Sequence, residues 1–77
     1  MILQANAVNN RLPTLRFGDR GSAVRVLQRL LVSKGYPIRI DADFGVLTET
    51  AVKAFQSSRG LNVDGIVGSR TWRALST

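Results

Sequence analysis

The sequence predicts an all-α domain, a compact three-helix bundle, and three observations carry that expectation. Apolar residues recur at three- and four-residue spacing in three separate segments. Glycines stand where the first two of those segments stop, and a short pattern around Asp, Gly, Thr and Ala is used twice. A chain of 77 residues can bury only roughly 60–65% of its surface, so one small core is all it can build. Its 44% hydrophobic share is ordinary for a globular fold and argues against disorder.

In the first segment Ala23, Val24, Leu27, Leu30 and Leu31 define one helical face. Gly21-Ser22 offers its start and Gly35 its stop; Tyr36 packs back, and Pro37 prevents continuation. The second helix is read from Leu47, Ala51, Val52 and Phe55 and ends at Arg59-Gly60, with Leu61 placed for the apolar contact that accompanies a glycine stop. The third runs from about Ser69 to Leu75, with Trp72 and Leu75 on one face. Residues 38–45 and 62–68 read as loops with little room for strands. Residues 1–14, polar and carrying Pro13, read as a flexible leader or linker, which leaves 15–77 as the domain.

Composition excludes several chemistries. With no cysteine and no histidine, the common zinc sites, Cys–His nucleophile pairs and Ser–His–Asp triads cannot be built. The net charge is +6, and nine of eleven basic residues are arginine. Such a chain favours anionic partners: nucleic acid, acidic membrane or an anionic wall polymer. The basic residues are scattered, so no tail or targeting run stands out. No stretch is long and apolar enough to span a membrane. Residues 1–15 lack the basic start and apolar run of a signal peptide, although Ala5-Asn6-Ala7 superficially resembles a cleavage site.

The informative feature is internal. Asp41-Ala-Asp-Phe-Gly45-Val-Leu-Thr48-Glu-Thr-Ala51-Val52 matches Asp64-Gly-Ile-Val-Gly68-Ser-Arg-Thr71-Trp-Arg-Ala74-Leu75 at an offset of 23, without a gap. Each shared residue has a physical job. The Asp can accept backbone hydrogen bonds in a tight turn. Phe44 and Val67 can anchor their turns to the core. The Gly can provide the conformation from which a helix departs. Thr can satisfy free N–H groups of the first helical turn, and Ala lets helices approach closely. A second echo links the first two helices: Val24-x-x-Leu27-Gln28 and Val52-x-x-Phe55-Gln56.

Together these residues resemble the peptidoglycan-binding domain found beside catalytic domains in bacterial amidases, lytic enzymes and carboxypeptidases. Leu15-x-x-Gly18-x-x-Gly21-x-x-Val24-x-x-Leu27-Gln28 is similar to that family's first helix. Asp41 through Gln56 matches its D-x-x-F-G-x-x-T-x-x-A-V-x-x-F-Q segment, and Val63 through Leu75 its V-D-G-x-x-G-x-x-T-x-x-A-L ending. The family often has proline at the first helical position, where Val46 and Ser69 stand here. The resemblance implies a three-helix fold and non-catalytic, cofactor-free binding of peptidoglycan, glycan or stem peptide. It also implies an extracytoplasmic setting and a cell-wall hydrolase domain as companion, with neither nucleic acid nor membrane as partner and the chain a monomer. A related fold in metalloprotease pro-regions silences its enzyme through a cysteine, which this chain lacks.

Other readings of the same residues are weaker. A calcium loop opening at Asp41 needs Gly at its sixth position and Glu at its twelfth, where Val46 and Val52 stand. The five carboxylates could supply a glycosidase pair only in a deeper cleft than this length allows. Trp72 could stack on a sugar, but its register with Leu75 favours the core, and Phe17, Phe44 and Phe55 are likewise core candidates first. Helix N-termini after glycine turns suit carboxylate groups, and Arg70 or Arg73 could pair with them. The candidate binding residues are therefore Asp43, Phe44, Gly45, Asp64, Gly65, Gly68, Arg70 and Thr71, around a groove between the two repeat loops. Two rivals remain: a basic three-helix nucleic-acid-binding protein, and a protein-interaction or autoinhibitory module of a hydrolase.

Overall fold

The structure, a computed structural model, describes residues 12–77. Among the described residues it contains three helices: α1 (Ser22–Ser33), α2 (Val46–Ser58) and α3 (Ser69–Leu75). The first two end by the same device. Gly35 N–H donates to Val32 O and Tyr36 N–H to Leu31 O at the end of α1; Gly60 N–H donates to Ser57 O and Leu61 N–H to Gln56 O at the end of α2. Both glycines have positive φ (99° and 68°), as this paired stop requires.

Every element contributes to one core. Val24, Leu27 and Leu31 come from α1, Ala51, Val52 and Phe55 from α2, and Trp72 and Leu75 from α3. Phe44 and Val67 enter from the loops before α2 and α3, as anchors of the repeated turns. Tyr36 packs its ring edge-on against Phe55 at 6.1 Å, and the Arg59 guanidinium lies 4.9 Å from the centre of the same ring.

Two expected core residues lie elsewhere. Leu47 is 69% exposed and Phe17 is 54% exposed. Leu47 occupies the first turn of α2 on its outer side, whereas Thr48 beside it in the same turn is buried against Gln28 of α1. Phe17 sits in a turn before α1.

An extended N-terminal arm joins the two repeated loops. Leu15 exchanges backbone hydrogen bonds with Val67 in the second loop (3.1 and 2.8 Å). Further along, Gly18 N–H donates to Phe44 O, Phe44 N–H to Asp19 O, and Gly21 N–H to Ala42 O, all at 2.9 Å. The loops thus take strand-like partners from the arm, as isolated bridges and not as strands. Of the expected leader, residues 1–11 lie outside the described residues. Leu12 packs against the core, and the Pro13 carbonyl accepts the Trp72 indole N–H at 2.8 Å.

The contrast between two leucines tests this arrangement. Leu27→Ala should lower stability by about 2–5 kcal/mol through the cavity it leaves, whereas Leu47→Ala should stay within about 0.5 kcal/mol of the parent. Urea unfolding of the two variants measures both values.

Candidate functional site

The polar interior is built on two glutamines. Gln28, on the buried face of α1, accepts the N–H groups of Asp41 (3.0 Å) and Ala42 (2.8 Å) through Oε1. Its Nε2 faces Asp41 Oδ1 (3.0 Å), Asp43 O (3.1 Å) and Thr48 Oγ1 (3.1 Å). Gln56 on α2 repeats the pattern on the second loop. Its Oε1 accepts from Asp64 N–H (3.2 Å) and Gly65 N–H (3.0 Å). Its Nε2 faces Asp64 Oδ1 (3.1 Å), Ile66 O (2.9 Å) and Thr71 Oγ1 (3.1 Å). Each carboxamide therefore holds one whole turn by backbone and side chain together. A carboxamide suits the task because it alone among neutral side chains carries two donors and a two-lone-pair acceptor at one end.

The aspartates complete each turn. Asp41 Oδ1 accepts from Asp43 N–H (3.0 Å) and Asp64 Oδ1 from Ile66 N–H (2.9 Å), as the sequence pattern anticipates for a tight turn. The Gln28 amide, and then the Asp43 N–H, hold the Asp41 carboxyl below the usual carboxylate range. For Asp64 the Ile66 N–H does most of this, with Gln56 adding to it.

Two expected roles change. Neither Thr48 nor Thr71 caps its helix, since no side-chain cap hydrogen bond forms at α2 or α3. Both are buried, with hydroxyls turned inward to the glutamines. Gly45 and Gly68 have φ of −100° and −97°, extended backbone open to any residue. The left-handed position of each turn is instead Ala42 (φ 65°) and Gly65 (φ 75°). An alanine there costs roughly 1–2 kcal/mol relative to its right-handed form, so the first turn is held against strain that the second avoids.

Among the expected binding residues, Phe44, Gly65 and Thr71 are buried and support the turns from within. Asp43, Asp64 and Arg70 are exposed, while Gly45 and Gly68 are half-buried. Trp72 is buried, which removes it as a sugar platform. A depression of about 350 Å³ opens on the first loop. Its polar wall is Arg39, Asp41 and Asp43; Gly45, Val46, Leu47 and Thr48 complete it. No residue of the second loop lines it, so this cavity belongs to one turn and is not shared between the two. Arg20 lies 3.8 Å from Asp43, both side chains well exposed. Beside it, a shallower groove of about 220 Å³ runs between Tyr36, Pro37, Ile38, Thr50, Ala51 and Ala54, with Leu47 common to both.

The sequence reading missed Arg39, Val46 and Leu47 as lining residues, and it saw the two glutamines without assigning them a role. A signal for the glutamines was present. Gln28 stands four residues after Val24 and three before Leu31, and Gln56 four after Val52, so each lies on an apolar helical face where a polar side chain must be satisfied.

Two loop–helix units hung from buried carboxamides, with an open charged depression on one of them, define a small helical binding module. Residues 20–75 match the family described as "Putative peptidoglycan binding domain", and the chain belongs to that family. It is 43% identical over 67 residues to the zinc D-Ala-D-Ala carboxypeptidase of Streptomyces albus G, a match covering 80% of this chain and 26% of the carboxypeptidase. Among solved structures it resembles the Burkholderia AP3 phage endolysin, with 51% identity and a TM-score of 0.83 over 84% of this chain and 25% of that one. A peptidoglycan-binding protein from Clostridioides difficile is 41% identical, with a TM-score of 0.81 over 83% of this chain and 40% of that protein. The chain thus spans about a quarter of the carboxypeptidase and of the endolysin.

Two outcomes check the clamp. Gln56→Leu should cost about 3–5 kcal/mol, because it strands the Gly65 N–H, the Ile66 carbonyl and the Thr71 hydroxyl without partners; urea unfolding reads the loss. Because the folded-state pKa values of Asp41 and Asp64 are lowered, their stabilisation is present above the unfolded value of about 4 and disappears as pH falls through the folded one. The Tm should therefore drop on acidification below about pH 4, and the double variant Asp41→Asn/Asp64→Asn should show a shallower drop.

Proposed function

We propose that this chain binds bacterial peptidoglycan without chemistry of its own and holds an attached or partner cell-wall hydrolase against its substrate. The observation that carries this reading is that the family match, residues 20–75, takes in both clamped loops and all three helices. Relatives in which such a region makes up about a quarter of a carboxypeptidase or an endolysin support the tethering role. Tethering acts by raising the effective concentration of the enzyme at the wall. The chain works outside the cytoplasm and as a monomer.

Binding centres on the first-loop depression. Asp43 and Gly45, among the residues expected from sequence, belong to it together with Arg39, Val46 and Leu47. Asp64, Gly68 and Arg70 lie on the second loop and form a second surface, while Phe44, Gly65 and Thr71 hold the turns in shape. The balance of charge supports a wall ligand over nucleic acid. Two carboxylates and one guanidinium line the depression, a poor counterpart to a phosphate backbone, whose binding rests on counterion release by Lys and Arg.

Co-sedimentation with purified sacculi is the test. The chain should pellet with them at about 0.15 M salt, where exposed charges are screened beyond about 8 Å, and duplex DNA should not compete. A chain left in the supernatant at that salt would sink the proposal.

A further inference from the structure

The internal repeat provides a control within the molecule for what the depression is for. Both loops make the same set of hydrogen bonds to their glutamines. The clamp accounts for the backbone of each turn and for the shared Asp and Thr side chains, and it makes no hydrogen bond to a side chain at the positions where the two loops differ. At the offset of 23, Asn62 stands opposite Arg39, Ile66 opposite Asp43, Ser69 opposite Val46 and Arg70 opposite Leu47. The four first-loop members of these pairs all line the depression. Architecture does not require them, yet they are gathered around one opening.

Their chemistry is specific. Val46 and Leu47 are the two most exposed large apolar side chains among the described residues, at 65% and 69%. Left in water, they forgo the gain that burial would bring, and a ligand would recover it. Arg39 makes no ion pair within 4.0 Å among the described residues. Asp43 has only the distant, exposed Arg20 beside its carboxylate. The opening thus offers an unpaired cation and an accessible anion on one wall, with apolar carbon on the other. Through Leu47 it continues into the apolar groove over Pro37, Ile38 and Ala54.

We infer that this depression recognises the stem peptide of peptidoglycan, at its diamino acid, and not the glycan; the inference rests on the peptidoglycan-binding reading. A diamino acid brings an ammonium for Asp43, and the carboxylate beside it meets Arg39, each as a charge-assisted hydrogen bond. The methyl groups of the neighbouring alanines fill the groove at Leu47. A sugar ring needs something different: a flat aromatic face to pack its C–H groups, which the depression lacks. Phe44, Phe55 and Trp72 are buried, and the Tyr36 ring is engaged edge-on with Phe55. The exposed Phe17 lies on the N-terminal arm and lines neither cavity.

The second loop also supplies the test variant. Val46→Ser/Leu47→Arg places in α2 the residues that α3 carries at the same positions, so the fold is kept; a circular-dichroism melt within a few degrees of the parent verifies that. Titration uses the synthetic tetrapeptide L-Ala–γ-D-Glu–diaminopimelate–D-Ala, alongside sedimentation with intact sacculi in the presence of excess tetrapeptide or of soluble glycan strands freed of their stem peptides. The parent chain should bind the tetrapeptide and be released from sacculi by excess tetrapeptide but not by the glycan strands. The double variant should bind at least tenfold more weakly, and Asp43→Asn, whose side chain takes no part in the clamp, should also weaken binding. Release from sacculi by the glycan strands and not by the tetrapeptide would overturn the stem-peptide inference and leave peptidoglycan binding standing. So would a double variant that binds the tetrapeptide as the parent does. Absence from the pellet of intact sacculi without competitor would overturn peptidoglycan binding itself, and the inference with it.

Discussion

A buried carboxamide is the interaction on which the rest of this small structure depends. The domain has no disulfide, and among the described residues its loops form no named strands, so its turns need another source of order. Gln28 and Gln56 supply it by replacing, from inside a helix, the hydrogen bonds that a strand ladder would provide. The burial that makes each contact strong also makes the arrangement all-or-none. A half-satisfied network in a core this small would cost more than an apolar one. Among the described residues no buried side-chain nitrogen or oxygen lacks a partner. A glutamate in place of either glutamine would be the wrong isostere: it could accept the two N–H groups, but it would set its own charge about 3 Å from that of an aspartate.

The architecture was legible because helix signals and burial agree. Val24, Leu27 and Leu31, or Ala51, Val52 and Phe55, repeat with the period of the helix and all lie in the core. Gly35 and Gly60 are needed where the chain turns left-handed. The misplaced residues are those where periodicity continues past the packing interface. Leu47 follows the helical register but faces outward from the first turn, while Thr48 next to it takes the buried position. Threonine misled differently. A hydroxyl in the first turn of a helix commonly serves the free N–H groups, and nothing local distinguishes that from a hydroxyl directed inward to a glutamine twenty or fifteen residues away.

The site was only partly legible for the same reason. Repetition draws attention to what the two loops share, and what they share is structural: Asp, Gly, Thr and an apolar anchor. The residues that give the first loop its depression are those that break the repeat, which a search for similarity passes over. Both clamps are complete without the side chains of those residues, which separates the two groups. The strained Ala42 belongs with the first group, as a turn position that the clamp fixes even where the residue type opposes it.

Trp72 has a consequence beyond packing. It is the sole tryptophan of the chain, it is fully enclosed, and its indole N–H is spent on the Pro13 carbonyl 59 positions away in sequence. One chromophore therefore sits at the seam between the beginning of the described chain and its last helix. Its emission reports on both at once: detachment of the N-terminal arm would wet the indole even while α1 and α2 stayed packed. The molecule carries its own optical label for the order in which its ends come apart.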